Sequence, residues 1–214
     1  MRKSFLGYGL MGLLGLAALF LAILAAPYDS HAAPQIGEPA PEFTGTTAEG
    51  KEISLKELEG KIVVLEWTNH ACPFVKKHYS TGNMQETQRK AKAMGDVVWL
   101  SVVSSAPGRQ GHVTPEEARK ITEEKNAAPT AKILDPQGEI GRKYGAKTTP
   151  HMFVIDKDGT LGYAGAIDDN PSAQNDTVEG AENYVLAALN AIQKGEEVDP
   201  ARTRPYGCSV KYGF

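Results

Sequence analysis

Apolar and polar positions along the chain predict strands separated by helices. Two continuous apolar runs, residues 62–67 and 97–103, are typical of buried strands. The segment between them, from Pro73 to about Met94, has a helical composition that is interrupted at residues 80–83. A strand, a helix and a second strand over this length predict a right-handed βαβ unit.

The second half of the chain continues the alternation. Thr114 and Glu117 form a capping box with a proline at the first helical position, so a helix begins there. Residues 131–134 predict a short strand, and residues 152–155 and 161–164 predict a hairpin around a turn. Apolar positions spaced as on one helical face predict a final helix: Val178, Ala181, Val185, Ala188 and Ile192. The pattern as a whole predicts an α/β fold with a central mixed sheet.

Residues 1–32 differ in composition from the rest of the chain and predict export. A short basic start precedes an uncharged apolar run over residues 5–26, and Ser30 and Ala32 then give a small-x-small pattern. This arrangement is typical of a secretory signal peptide that is cleaved after Ala32. The run is also long enough to span a bilayer, so an uncleaved membrane anchor is the alternative. Either way, the remaining chain is expected in the periplasm or another extracytoplasmic space.

Charge and cysteine content restrict the function classes. The net charge is −3 and no lysine- or arginine-rich run occurs, so no nucleic-acid partner is expected. The two cysteines, Cys72 and Cys208, are too few for a four-cysteine zinc site or a disulfide-dense scaffold. We predict one domain over residues 33–194 and an extended C-terminal tail, residues 195–214, that carries Cys208.

Cys72 lies in a sequence context that activates thiols. A short loop, residues 68–71, separates it from the preceding strand, and Pro73 follows it directly. Proline is preferred in the first turn of a helix, so Cys72 falls at or next to a helix N-cap. The free N–H groups and the dipole of that helix end stabilise a thiolate, and His70 and the lysines that follow add positive charge. The alternative is an inert, buried cysteine at a strand–helix turn.

Several motifs carry a family resemblance: Ile36-Gly-Glu-Pro-Ala-Pro-Glu-Phe43, Gly60-Lys-Ile-Val-Val-Leu-Glu-Trp67, Cys72-Pro-Phe, and Thr149-Pro150 before Phe153-Val-Ile-Asp156. Together they resemble the redoxin group, which includes the alkyl hydroperoxide reductase/thiol-specific antioxidant proteins and the thiol-disulfide thioredoxins. The stretches 69–78 and 207–211 resemble its peroxiredoxin-like subgroup. The resemblance implies a thioredoxin-like fold in which the Cys72 loop faces a cis-proline at Pro150.

The chain departs from both kinds of redoxin at positions that decide the chemistry. Peroxiredoxins carry a threonine three residues before the cysteine, where this chain has Asn69, with Thr68 one place further away. They also carry an arginine before the late strand, where this chain has Pro150. Thioredoxins place a second cysteine three residues after the first, where this chain has Val75. The candidate site residues are therefore Cys72, Cys208, Pro150, His70, Thr68 and Asn69.

Cys208 is the candidate resolving or disulfide partner of Cys72. The segment from residue 194 to Cys208 can extend about 45–50 Å, at roughly 3.3–3.6 Å per residue. A domain of this size has a radius of gyration of roughly 16 Å, so the tail can reach the loop. Two alternatives stay open, a permanent structural disulfide and a transient bond that a flexible tail opens and closes.

Three functions are compatible with these residues. The first is an exported thiol-disulfide oxidoreductase that acts on protein thiols or disulfides with a thioredoxin-like reductant. The second is a thiol peroxidase that reduces a small hydroperoxide through a Cys72 sulfenic acid. The third is a non-enzymatic module in which Cys72, His70 and His151 bind copper or zinc. The activating context of Cys72 favours a redox enzyme that uses no cofactor and no bound metal.

Charged residues outside this set are expected at the surface. Glu66 lies in an apolar strand, offset by one residue from the buried acid of thioredoxins, which predicts a surface or salt-bridge position rather than a role in proton transfer. Asp168 and Asp169 lie in a long polar loop, and Lys76 and Lys77 lie on the first predicted helix. All four are predicted to be solvated, although the aspartates follow the hairpin closely enough to rim the cleft.

Overall fold

The computed structural model describes residues 33–213, so the predicted signal peptide or anchor over residues 1–32 lies outside the described part. Within residues 33–213, no helix is both long enough and apolar enough to cross a bilayer. The elements follow in the order β1 (Thr44–Thr47), β2 (Glu52–Ser54), β3 (Ile62–Trp67), α1 (Pro73–Ser80), α2 (Asn83–Ala93), β4 (Val97–Val103), α3 (Pro115–Glu124), β5 (Ala131–Leu134), α4 (Glu139–Lys143), β6 (Thr148–Thr149), β7 (His151–Ile155), β8 (Leu161–Gly165), α5 (Tyr184–Lys194) and β9 (Cys208–Ser209).

A seven-stranded mixed sheet forms the centre of the fold, in the order β2-β1-β5-β4-β3-β7-β8. The predicted βαβ unit is present, because β3 pairs in parallel with β4 after the chain has passed through α1 and α2. On its other side β3 pairs antiparallel with β7, which places Trp67 opposite His151. A mixed sheet with helices packed against it confirms the predicted α/β class.

Strand β3 is covered on both faces, which explains its nearly continuous apolar sequence. All of its residues are buried. Side chains of a strand point alternately to opposite faces, and Val63, Leu65 and Trp67 enter one core cluster. Ile62 and Val64 enter the other cluster, which also contains residues of α2 and α5. The loop that leaves β3 therefore starts from a fully buried strand.

Glu66 corrects the expectation of a surface or salt-bridge position, because its side chain is fully buried and accepts four hydrogen bonds from neutral donors. Its Oε1 accepts from the Tyr79 hydroxyl at 2.7 Å. Its Oε2 accepts from Trp99 Nε1 and Ser101 Oγ, both at 2.8 Å, and from Gln88 Nε2 at 3.1 Å. These donors come from α1, α2 and β4 and compensate the cost of burying a carboxylate.

The last helix begins later than the apolar periodicity predicts. α5 starts at Tyr184, and the preceding Asn183 accepts a hydrogen bond from the Leu186 N–H at 3.0 Å through its side chain. Val178 and Ala181 precede the helix instead of lying on it. Asparagine is among the best N-cap residues, so Asn183 was the local signal for this boundary.

The C-terminal tail is packed against the domain rather than free. The Val210 N–H donates to the Lys147 carbonyl at 3.0 Å, and the Lys211 carbonyl accepts from the Ala106 N–H at 2.9 Å. The Tyr212 hydroxyl donates to the Ala146 carbonyl at 2.8 Å. These bonds fix the segment around Cys208, whereas the alternative of a transient disulfide had assumed a flexible tail. The domain boundary at residue 194 stays a prediction.

Candidate active site

Cys72 occupies the N-cap of α1, as the Cys-Pro sequence predicts. Its backbone is extended, with φ −73° and ψ 127°, and Pro73 opens the helix. Strand β3 continues into the preceding loop, where the buried Thr68 donates its N–H to the Val102 carbonyl at 3.0 Å. The Cys72 side chain is 0% exposed, so its sulfur is held inside the molecule at the start of a helix.

Asn69 shapes the loop that presents Cys72. Its side-chain Oδ1 accepts from the Ala71 N–H at 2.9 Å, and its Nδ2 donates to the Gln110 carbonyl at 3.1 Å. Its own carbonyl accepts from the Cys72 N–H at 3.0 Å. Asn69, one of the candidate site residues, therefore turns the chain between β3 and α1.

The cis-proline loop faces the sulfur of Cys72. The Thr149–Pro150 peptide bond is cis, in agreement with the expectation from the family resemblance. The Cys72 thiol donates a hydrogen bond to the Thr149 carbonyl at 3.1 Å. Pro150 thus lies directly beyond the residue that contacts the thiol.

Cys208 reaches the same place from the C-terminal tail. Strand β9 pairs antiparallel with β6, and Cys208 is the register partner of Thr149. A Cβ atom on the preceding Gly207, which has φ 130°, would lie 2.1 Å from the Thr149 oxygen. Glycine alone permits this close approach of tail and loop. Both cysteines are free thiols in this structure, and Cys72 is buried while Cys208 is half-buried.

The two thiols influence each other's ionisation in opposite directions. Burial raises the pKa of the Cys72 thiol. Hydrogen bonds from the Cys208 thiol, the Val75 N–H and the Thr149 hydroxyl lower the pKa by more than burial raises it, so the net pKa is below the ordinary value. Burial and the adjacent Cys72 sulfur raise the pKa of Cys208 to about 11. The thiol of Cys72 donates to Thr149, whereas its thiolate accepts from these donors. Cys72 is therefore the thiol that ionises first.

The histidines near the site do not form a metal centre with Cys72. His70 lies on the loop with an exposed side chain. Partial burial of its ring, together with the charge of Lys132, lowers its pKa. His151 is buried against Phe153 with ring centroids 4.4 Å apart, and its Nδ1 accepts from the Lys147 N–H at 3.3 Å. Among residues 33–213, no group of three or more histidine, cysteine, aspartate or glutamate side chains is arranged to hold a metal ion. The metal-binding alternative therefore finds no support in the described part of the chain.

A buried cluster of charged and aromatic side chains lies beside the two cysteines, and the sequence analysis did not predict it. Lys77 and Asp168 were expected to be solvated but are 1% and 3% exposed. Lys77 Nζ lies 3.9 Å from Asp168 Oδ2, and His78 is buried next to them. The Tyr206 hydroxyl from the tail donates to Asp168 Oδ1. The only sequence signal was an aromatic residue two positions before Cys208.

The chain is similar in sequence and in structure to several known proteins. The chain is 30% identical over 127 residues to the thiol-disulfide oxidoreductase ResA of Bacillus thuringiensis subsp. konkukian (strain 97-27), which covers 59% of this chain and 67% of that protein. It superposes with a TM-score of 0.71 and 25% identity on an uncharacterized conserved protein from Geobacillus kaustophilus, over 84% of this chain and 93% of that chain.

A second solved structure is a putative thiol:disulfide interchange protein DsbE from Chlorobium tepidum. It superposes with a TM-score of 0.54 and 25% identity, over 73% of this chain and 99% of that chain. These similarities confirm the thioredoxin-like fold that the resemblance implied. The AhpC/TSA family model matches residues 36–164, which is most of the chain, and so the chain belongs to the AhpC/TSA family.

Proposed function

We propose that this protein is a thiol-disulfide oxidoreductase in which Cys72 is the nucleophile and Cys208 is the resolving cysteine. The observation that carries the proposal is that Thr149, next to the cis-proline, contacts the Cys72 thiol and is the register partner of Cys208, so both cysteines lie at one place. Two neighbouring thiols, one with a lowered pKa and one with a raised pKa, form a dithiol suited to exchange with a disulfide. The ResA and DsbE relatives are named for the same reaction class.

The first step is attack by the Cys72 thiolate on a substrate disulfide. One sulfur of the substrate forms a mixed disulfide with Cys72, and the other leaves as a thiolate. The Val75 N–H and the start of α1 stabilise the anionic sulfur before the attack. Since Cys72 is fully buried, the tail has to move aside before a protein substrate can reach it.

In the second step Cys208 loses its proton and attacks the Cys72 sulfur of the mixed disulfide. A Cys72–Cys208 disulfide forms, the substrate leaves as a second thiolate, and two electrons have passed from the protein to the substrate. The raised pKa of Cys208 keeps it protonated until it acts, so a neighbouring base or the departing thiolate takes its proton. An external dithiol of the thioredoxin type would then restore the reduced protein.

Hydroperoxide reduction receives less support from the site than disulfide exchange does. The side chain of Asn69 is occupied by the Ala71 N–H and the Gln110 carbonyl, so it is committed to the loop. Pro150 stands where the resemblance places an arginine that polarises the peroxide. We therefore assign protein disulfides or thiols as the substrate class.

We place this reaction outside the cytoplasm, in the periplasm or an equivalent compartment. The support is the signal-like or anchor-like sequence of residues 1–32. An oxidising compartment also suits a protein whose two cysteines exchange with disulfides.

The proposal is tested by trapping the mixed disulfide with oxidised glutathione as the probe. Wild-type protein should form the Cys72–Cys208 disulfide, and Cys208→Ser should stop at a glutathione adduct on Cys72, both detected by intact mass. Cys72→Ser should form neither product at a comparable rate, and Ser209→Ala is the matched control that should behave as wild type. A Cys72→Ser variant that reacts as fast as wild type, or wild type without an internal disulfide, would overturn the assignment.

A further inference from the structure

We propose that Tyr206 is the positioning residue for Cys208, and that it sets the equilibrium constant for the disulfide between Cys72 and Cys208. Tyr206 lies two residues before Cys208, and its side chain enters the buried cluster formed by Lys77, His78 and Asp168. The inference rests on the proposed dithiol function and adds the element that holds the resolving cysteine in place.

The hydroxyl of Tyr206 makes two hydrogen bonds that determine each other's direction. It donates its proton to Asp168 Oδ1, so toward His78 it acts as the acceptor, from Nε2 at 3.0 Å. The His78 Nδ1 then accepts from Asn83 Nδ2 at 2.8 Å. This chain of donors satisfies the Tyr206 hydroxyl and both ring nitrogens of His78, so the hydroxyl is held in a single orientation. Asp168 Oδ2 makes no hydrogen bond in the described part of the chain and faces Lys77 Nζ at 3.9 Å.

The ring of Tyr206 adds packing and charge contacts. Its centroid lies 5.8 Å from that of Phe74, and Lys77 Nζ lies 5.3 Å from it, over the ring face. Lys77 Nζ also donates to the Asn170 carbonyl at 3.1 Å and faces Asp168 at 3.9 Å. A buried cation and a buried carboxylate thus surround the aromatic side chain, and removing that side chain leaves both less well compensated.

Both cysteines are positioned from one helix through these contacts. Phe74, Lys77 and His78 all belong to α1, and the N-cap of α1 is Cys72. Tyr206 binds those side chains and is covalently linked to Cys208 through Gly207. The separation of the two sulfurs therefore depends on α1 and the short stretch from Tyr206 to Cys208, in addition to the contacts of both cysteines with Thr149.

Cys208 is anchored on both sides. Downstream, the tail is tied by the main-chain bond from the Val210 N–H to Lys147 and by the Tyr212 hydroxyl. Upstream, Tyr206 provides the nearest side-chain anchor. With Tyr206 in place, the thiol of Cys208 is presented to Cys72 at a high effective concentration. Without it, the segment before Cys208 is held only from Thr203 and earlier residues, and an external thiol competes better for Cys72.

The test compares Tyr206→Ala, Tyr206→Phe and the matched control Tyr184→Phe, at a half-buried tyrosine outside the tail. Each reduced protein is equilibrated with defined ratios of reduced and oxidised glutathione, and the fraction with an internal disulfide is measured. We expect the equilibrium constant to fall about tenfold in Tyr206→Ala, which is about 30 mV for a two-electron couple. Tyr206→Phe should shift in the same direction by less, and Tyr184→Phe should stay close to wild type.

A second readout separates positioning from loss of structure. Alkylation of Cys72 by iodoacetamide at high pH should become faster in Tyr206→Ala, because a released tail exposes a sulfur that is otherwise buried. If Tyr206→Ala does not fold, the comparison of Tyr206→Phe with Tyr184→Phe decides. The inference is overturned if wild type forms the internal disulfide while both Tyr206 variants keep its equilibrium constant. Absence of that disulfide in wild type would instead refute the proposed function.

Discussion

The Thr149 carbonyl oxygen accepts the thiol hydrogen bond of Cys72 at 3.1 Å. The same residue is the register partner of Cys208 in the β6–β9 pair. Thr149, the residue before the cis-proline, thus contacts the sulfur of Cys72 and aligns the strand that carries Cys208. The mutual position of the two thiols depends on this residue and on the close approach of the tail to it.

Gly207→Ala should separate the two cysteines without disturbing the core. The new Cβ would lie 2.1 Å from the Thr149 oxygen, so the β6–β9 pair has to open. We expect internal disulfide formation to slow by about tenfold or more, since a misplacement of about 1 Å can cost that much in an intramolecular reaction. Quenched-flow oxidation followed by mass analysis of the reduced protein measures the rate.

Gly180→Ala is the matched control for this substitution. Gly180 also has a positive φ, of 78°, but a Cβ there meets no atom within 4 Å. Both variants place an alanine at a positive φ, and only Gly207→Ala adds a clash with a neighbouring atom. Equal oxidation rates in the two variants would show that the close approach of Gly207 and Thr149 does not position Cys208.

Glu66→Gln should destabilise the fold through its buried hydrogen bonds. The carboxylate accepts from four donors, and an amide offers one acceptor oxygen while adding two donors to a site full of donors. We expect a loss of about 1–3 kcal/mol in the free energy of unfolding, measured with urea. Glu52→Gln, at an exposed strand position, should change it by less than about 0.5 kcal/mol. Equal losses in the two variants would contradict this role for Glu66.

The sequence predicts the parts of the site that depend on neighbouring residues. The proline after Cys72 indicates the helix N-cap, which is present in the structure. The cis bond at Pro150 is also present, but it was implied by the family resemblance and not by the neighbouring residues. In contrast, β1 and β2 were missed because Thr44–Thr47 has no alternating apolar pattern. That strand is specified by its pairing with β5, which the local sequence does not encode.

The burial of charged residues could not be predicted from local patterns. Lys77, Asp168 and Tyr206 are far apart in the sequence, and each alone is typical of a solvated surface. They become buried because the tail brings a hydroxyl to the carboxylate beside the lysine. The burial of Glu66 was not predicted for a related reason, since its hydrogen-bond donors come from three different elements.

The free energy of unfolding should decrease as the pH drops below the pKa of an ordinary histidine. Burial, together with nearby positive charge, lowers the pKa of both His78 and His151 to about 3. An unfolded chain binds a proton at each below a pH of about 6.5, while the folded protein does not until about pH 3. The unfolded state therefore binds more protons in this window, and the free energy of unfolding decreases as the pH falls through it.

The size of this effect can be measured one histidine at a time. A buried histidine contributes up to about 1.4 kcal/mol per pH unit within the window. Urea unfolding between neutral pH and the acidic side should show a shallower pH dependence for His151→Gln than for wild type. His112→Gln, at a half-buried histidine outside this pair, is the control. An unchanged slope in His151→Gln would contradict the assignment of a neutral, buried imidazole.

The ionisation of Cys72 is the most direct test of the paired-thiol site. The ultraviolet absorbance of the thiolate is followed against pH in the reduced protein, with Cys72→Ser subtracted to remove the tyrosine signal. We expect Cys72 to titrate below the pKa of a free cysteine, and to titrate at a higher pH in Cys208→Ala, which removes the donor thiol without introducing a hydroxyl. A Cys72 that titrates at or above the pKa of a free cysteine in wild type, unchanged by Cys208→Ala, would contradict a thiolate held by its partner.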